Sequence, residues 1–411
     1  MADYVELIVY GPDGRRINVL GSEIALIGAL ANFFGEIGQV QYDFGSAHYL
    51  YDSSEHFPND EFNELKRKIV TKKRGEQLSK YDKSHLKSVE EVIRDLLSTE
   101  TSLDLSEHQF YDIHGSTRSA LDLTLSSLVG FMSQRKIALP VPNWHFDQIS
   151  ENAHKKYKFN YFEALNEQQL VDGFKRAAEK DKVGILILAM PAVPLMYTLS
   201  QQAGKEMDAI ALKHGIDIVV DDVLRGAQPM GERDSIARYF TNPYIVEGFS
   251  KRLGDHVFGN FSYVLAPSTG SQIPNSCKDQ DCGLITGLSL EMALKYAAEP
   301  AIKELQLRNQ KFDEGLGNYA PQGTVVKRPS VTHLTSLVEV PTNFRITMGE
   351  FQRKCYRKDI DISIPQEYYP NGFQASPLLD RSFRITVGRI NAEDIYLGAN
   401  LLGREISQYC R

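Results

Sequence analysis

From Phe110 to Val264 short apolar runs alternate with amphipathic stretches of helical length, and a chain patterned in this way has few ways to fold. The runs Ile137 to Val141, Val183 to Ala189, Ile216 to Val220 and Tyr244 to Phe249 are rich in branched apolar residues, and each is followed by polar ones. Between and before them, Ser116 to Phe131, Leu170 to Ala178 and Lys205 to His214 carry a helical pattern. Strands that are apolar throughout are buried on both faces. The pattern therefore predicts an α/β fold in three layers, a mainly parallel sheet covered by helices on both sides. Open sheets of this kind bind ligands beyond the carboxyl ends of their strands, so the polar residues that end each run become the candidates for function.

The flanks read differently. Short alternating segments such as Leu337 to Val340 and Phe383 to Val387 mix with amphipathic helices such as Asn391 to Tyr409. The expected division is a large domain over 61–324 and a smaller α+β domain assembled from both termini, 1–60 and 325–411. A chain of 411 residues with 42% hydrophobic and 24% charged residues can bury a substantial core, and a net charge of -7 argues against a nucleic-acid partner. The basic stretch Lys66 to Arg74 reads as a solvated helix face. No run approaches 18 apolar residues and no leader pattern opens the chain, which points to a cytoplasmic protein without a membrane span. Cys277, Cys282, Cys355 and Cys410 lack zinc-site spacing and read as reduced thiols; the scattered histidines offer no metal site, and a Gly-x-Ser-x-Gly elbow is missing.

Several residues at strand ends could carry chemistry. Gly115-Ser116-Thr117 opens a helix, where backbone N–H groups and hydroxyls can cradle a phosphate; the same residues would also serve as an ordinary cap. Asp221 and Asp222 follow a buried strand, and adjacent carboxylates there need a cation or hydrogen bonds, unless the turn is exposed. Lys251 follows the next run through Gly248-Phe249-Ser250, at the same sheet end as Asp221. A desolvated lysine traps carbonyl groups, whereas a surface lysine does nothing of the kind. Trp144, the only tryptophan, follows Pro142-Asn143 and offers a flat face for stacking or a core anchor. Tyr49, Tyr51, Tyr368 and Tyr369 could line the entrance if the termini fold over the pocket, although aromatics of this kind more often serve the core or the surface.

In this order the pieces resemble the class I/II aminotransferases, the pyridoxal-phosphate (PLP) family with the aspartate-aminotransferase-like fold. The resemblance runs from about Tyr81 to Arg389. Gly115-Ser116-Thr117 looks like the phosphate cup and Pro142-Asn143-Trp144 like the segment whose ring stacks on the cofactor. Pro191-Ala192-Val193-Pro194 is similar to the family's Asn-Pro-Thr-Gly turn. Asp221 looks like the aspartate on the pyridine nitrogen, Ser250-Lys251 like the Schiff-base pair, and Arg384 in Ser382-Phe383-Arg384-Ile385 like the arginine that grips the substrate carboxylate. The resemblance implies pyridoxal 5'-phosphate as cofactor and an amino acid as substrate. It further implies a homodimer with shared active sites, Tyr81 reaching the phosphate of the neighbouring subunit.

Four family positions depart from the pattern. Val193 stands for the asparagine and Leu224 for the tyrosine that touch the cofactor's phenolic oxygen, Gly248 for a serine, and Gly259-Asn260 for the phosphate arginine. Without the first two, a Schiff base stays protonated to higher pH. Phosphate charge would then fall to Arg118, Arg252 or His256. The resemblance implies amino transfer to a 2-oxo acid as the commonest outcome. Elimination, cyclisation, decarboxylation or oxidation is the alternative, and a non-catalytic binding protein on the same scaffold is a third.

Overall fold

The structure, a computed structural model, describes residues 5–10, 16–21, 42–43, 87–130, 135–144, 146, 157–229, 231–253, 261–268, 273, 280–330, 333–370 and 373–410. Tyr49, Tyr51, Lys66 to Arg74, Tyr81, His256, Gly259, Asn260, Cys277 and the side chain of Cys282 lie outside the described residues. The strands in chain order are β1 (Val5–Tyr10), β2 (Arg16–Gly21), β3 (Tyr42–Asp43), β4 (His108–His114), β5 (Lys136–Val141), β6 (Lys158–Glu163) and β7 (Ile185–Ala189). They continue with β8 (Asp217–Asp221), β9 (Tyr244–Gly248), β10 (Phe261–Pro267), β11 (Val325–Lys327), β12 (Thr335–Glu339), β13 (Ile360–Asp361) and β14 (Ser382–Thr386).

Seven of them form one sheet in the order β4-β10-β9-β8-β7-β5-β6. Pairing is parallel from β6 to β9, and β10 runs antiparallel to both β9 and β4. The mainly parallel sheet is thus present, and the reversed β10 brings its first residues to the edge where β4 and β9 end. Ser262 lies opposite Gly248, and Phe261 opposite His114.

Side chains on these strands alternate between two cores, as the period of a strand requires. On one face Leu186, Leu188, Ile218, Val220, Ile245 and Tyr263 pack with the helices Val89–Glu100, Glu167–Arg176 and Gln201–His214. On the other, Ile185, Ile187, Val219, Val246 and Val264 meet Ala120, Leu121 and Leu125 of the helix Thr117–Gly130. Both faces of the sheet are dry, which explains why β7 reads Ile-Leu-Ile-Leu without polar interruption.

Local signals start and stop the covering helices. Ser88 and Glu91 form a reciprocal capping box, Asn166 caps the next helix through Gln169 N–H, and Ser200 caps Gln201–His214 through Ala203 N–H. That last cap begins the helix four residues before the start expected from the apolar pattern. Gly215 ends it with φ of 64°, a left-handed conformation that suits glycine.

The smaller sheet, β11-β12-β14, is antiparallel and packs its Val338, Phe383 and Ile385 against the helices Ala298–Gly317, Met348–Tyr356 and Ala392–Gln408. Near the amino terminus β1 pairs with β2, while β3 pairs in parallel with β13, so a segment from each end of the chain meets there. Helices Ala298–Gly317 and Ala392–Gln408 approach closely at Gly315, where an added Cβ would lie 2.5 Å from Tyr396 O and 2.9 Å from Ala399 Cβ. Backbone cannot swing aside as a flexible side chain can. Gly315→Ala is expected to lower stability by roughly 1–3 kcal/mol, measured by denaturant unfolding; an unchanged midpoint would contradict the packing described.

Candidate active site

The carboxyl edge of the large sheet carries Gly115-Ser116-Thr117, Trp144, Asp221 and Lys251. Ser116 accepts from Ser119 N–H and opens the 14-residue helix Thr117–Gly130, whose first turn contains no acidic side chain. Ser262 Oγ donates to the carbonyls of Gly115 (3.0 Å) and Ser116 (3.2 Å), tying the turn to the start of β10. Thr117 stands against the end of β9: a Cβ on Gly248 would meet Thr117 Oγ1 at 2.5 Å. The glycine found in place of a serine therefore has a steric reason, since the threonine hydroxyl takes up the space.

Asp221 ends β8 and is 6% exposed. Two residues after Val219, it continues the face covered by the helix Thr117–Gly130. Its Oδ1 accepts from Val223 N–H at 3.1 Å. Burial pushes this carboxyl up to about 7, with Asp222 and Glu247 adding to the shift; the Val223 hydrogen bond and the Lys251 ammonium oppose it. Lys251, itself half-buried, lies within electrostatic reach of Asp221, on the turn Ser250–Leu253. Both residues thus stand at the same end of the sheet, after β8 and β9.

Trp144 packs on the same core layer, edge to face with Phe146 (5.5 Å between centroids), and the Arg118 guanidinium lies 4.9 Å from its ring centre. Arg118 is therefore at the rim. Arg252, the other described candidate for phosphate charge, is not. It is fully buried and turned to the opposite face, where it binds Glu100.

Arg384 arrives from the smaller sheet. Its neighbours Phe383 and Ile385 point into that sheet's own core, so Arg384 points the other way, with its cross-strand partner Leu337. Its Nη2 donates to Ser363 Oγ (3.2 Å), and the guanidinium lies 5.2 Å from the ring centre of Tyr368. Tyr368 is the residue whose linking role the sequence did not reveal: its carbonyl accepts from Asn143 N–H at 3.2 Å, so it joins the arginine to the tryptophan segment. Val193, Met196, Leu337 and Tyr368 form one apolar cluster, with Leu224 packed against it. Tyr369 instead donates to Glu163 at 2.8 Å. A separate cavity of about 350 Å³ opens on the opposite core layer, by Leu199, Asp222 and Ile236, away from Lys251.

The strand order, the reversed β10 and the helices on both faces define the fold of the aspartate-aminotransferase-like proteins. Solved structures with this fold cover nearly the whole chain. The multiple-substrate aminotransferase of Thermococcus profundus matches with a TM-score of 0.63 at 14% identity, over 95% of each chain. A kynurenine aminotransferase of Pyrococcus horikoshii, in complex with PMP, matches with 0.64 at 14% identity, over 95% of this chain and 98% of its own. The α-aminoadipate aminotransferase of Thermus thermophilus, complexed with N-(5'-phosphopyridoxyl)-L-leucine, matches with 0.60 at 16% identity, over 89% and 92%. No protein-family model matches the sequence, and no curated protein does. Among the described residues no helix is long and apolar enough to cross a membrane.

A carboxyl whose folded pKa is raised contributes stability below its unfolded value, near 3.8 for Asp221, that is lost as pH climbs through about 7. In the protein without added ligand, Asp221→Asn should therefore unfold at higher temperature than wild type at pH 8, and the gap should close toward pH 4. One pKa unit corresponds to about 1.4 kcal/mol, so the gain is bounded by roughly 4 kcal/mol. Calorimetry across that pH range checks the sign.

Proposed function

We propose that the chain is a pyridoxal 5'-phosphate-dependent enzyme acting on an α-amino acid, with Lys251 as the cofactor's covalent anchor and amino transfer to a 2-oxo acid as its reaction. The observation that carries this reading is the convergence of Lys251 and a buried, cation-seeking Asp221 beside a hydroxyl-bearing helix N-terminus. The solved neighbours named above strengthen it, one holding PMP and another a phosphopyridoxyl-leucine conjugate.

The residues suit that cofactor. A carboxylate buried among other acids is costly alone, and a protonated pyridine nitrogen would stabilise its ionised form. The Gly115-Ser116-Thr117 turn offers backbone donors and the positive end of a helix to a phosphate, with Arg118 close by. Trp144 gives a flat face. Bound there, the cofactor supplies an electron sink for the pair released when a bond at the substrate α-carbon breaks.

The protein's own part follows from its side chains. Asp221 would keep a proton on the ring nitrogen. Lys251, as a free amine, would move a proton at the α-carbon. Arg384, with the Tyr368 ring centre 5.2 Å from its guanidinium, would orient the substrate by its carboxylate, a bidentate grip that lysine cannot copy. Tyr81 reaching a neighbouring subunit in a homodimer, and a cytoplasmic location, belong to the same proposal.

A second reading, elimination, cyclisation, decarboxylation or oxidation, is favoured by one feature. Val193 and Leu224, expected beside the cofactor's ring oxygen, sit in the apolar cluster with Tyr368 and offer that oxygen no hydrogen bond.

Purified protein given PLP should show a long-wavelength absorbance band that Lys251→Ala lacks; equal, colourless spectra for both would overturn the proposal. A panel of amino acids with 2-oxo acid, ammonia and peroxide assays then separates transfer from the alternatives. Arg384→Lys should raise KM for the amino acid by roughly 10-fold or more while leaving the band in place.

A further inference from the structure

Behind Lys251 and Asp221, on the opposite face of the sheet, the structure buries a cluster of charge. Glu100, the last residue of the helix Val89–Glu100, accepts from Arg225 Nη1 (2.9 Å), Arg233 Nη1 (2.6 Å) and both terminal nitrogens of Arg252, one at 2.8 Å. Glu247 on β9 accepts from Arg225 and from the Tyr263 hydroxyl, and Arg252 Nη2 lies 3.5 Å from its second oxygen. Asp222 Oδ2 faces Arg225 Nε at 3.7 Å. Three arginines thus meet three carboxylates, every one of these side chains at most 4% exposed. Burial opposes the ionisation of Glu100, but the hydrogen bonds and charge of Arg252, with Arg233 and Arg225, outweigh it and hold that carboxyl at about 2.

The chain positions of these groups matter more than their number. Arg225 belongs to the turn Val223–Ala227 that follows Asp221, and Arg252 is the neighbour of Lys251. The two segments press together at Gly226, where a Cβ would lie 2.9 Å from Arg252 Cβ. Glu100 bridges both from a third element. We propose that Glu100 is a positioning residue: it locks the Asp221 turn to the Lys251 turn and keeps the charge behind them balanced. Its significance for the cofactor rests on the function proposed above, whereas its action on Asp221 does not.

The charged and titratable groups around the pair are Asp222, Glu247, Glu100, Arg225, Arg233 and Arg252, with Tyr263 and Asp112 opposite each other on β10 and β4, Asp234 beyond Asp222, and Arg118 at the rim. Removing one charge from a balanced buried cluster moves nearby titrations by on the order of one pH unit.

The test uses PLP-loaded wild type, Glu100→Gln, Arg233→Gln and the double variant, and reads the pH midpoint of the Lys251-dependent band. Glu100→Gln leaves one positive charge in excess and should lower the midpoint; Arg233→Gln leaves one negative charge in excess and should raise it. The double variant, balanced again, should return close to wild type. A merely structural role would move both single variants the same way or not at all, and either result overturns the proposal. If Glu100→Gln does not fold, Arg233→Gln and the double variant still decide it by the presence or absence of the upward shift and its reversal. A wild type without any band sinks the cofactor reading instead. The same variants are then compared without cofactor by carbon NMR of the Asp221 carboxyl, whose titration should shift in the same opposite directions.

Discussion

Two adjacent carboxylates end a strand where water does not reach, and the architecture around them is arranged to make that tolerable. Burial drives Asp221 up to about 7 and Asp222 to about 6, so neither is comfortable as an anion without positive charge nearby. The two point to opposite faces, and each face answers in its own way. Asp222 meets Arg225 and the cluster centred on Glu100, whose hydrogen bonds and mutual charge hold it in place. Asp221 has the Lys251 ammonium within reach and one backbone hydrogen bond. The face that is filled by protein cations is structural. The face that is only partly satisfied is the one to which the proposed function assigns a cationic ring.

Sheet topology makes this arrangement possible. Parallel strands deliver all their carboxyl ends to one edge, and the reversed β10 adds its first residues to the same edge. Lysine, aspartate, tryptophan and the helix-opening turn therefore meet although they are scattered over more than a hundred residues. The arginine comes from elsewhere, carried by β14 of the smaller sheet and tied to the large one through Tyr368. Identity of 14–16% to solved aminotransferases alongside nearly full coverage fits this picture. What is shared at that identity is the fold, which many sequences satisfy.

Much of this was legible in the chain. Strands such as Ile185–Ala189 announce themselves by burial on both faces, and Asp221, Lys251, Trp144 and Gly115-Ser116-Thr117 stand out as polar or aromatic residues directly after such strands. The meaning of Gly248 was not legible, because its reason is the hydroxyl of Thr117, brought against it by packing. Nor was the fate of Arg252. A cation next to Lys251 looks like a phosphate ligand until the helical turn Ser250–Leu253 aims it away from that lysine and onto Glu100, 152 residues away in sequence.

The sequence by itself determined which segments become strands, which faces are dry and which residues stand at strand ends, since periodicity and capping act over a few neighbours. Only the tertiary structure decided which charges pair, that Tyr368 joins Arg384 to the tryptophan segment, and that Val193 and Leu224 close an apolar wall with Met196 and Leu337. Those are contacts between distant segments, and their energies depend on distance, burial and orientation, which no local pattern encodes.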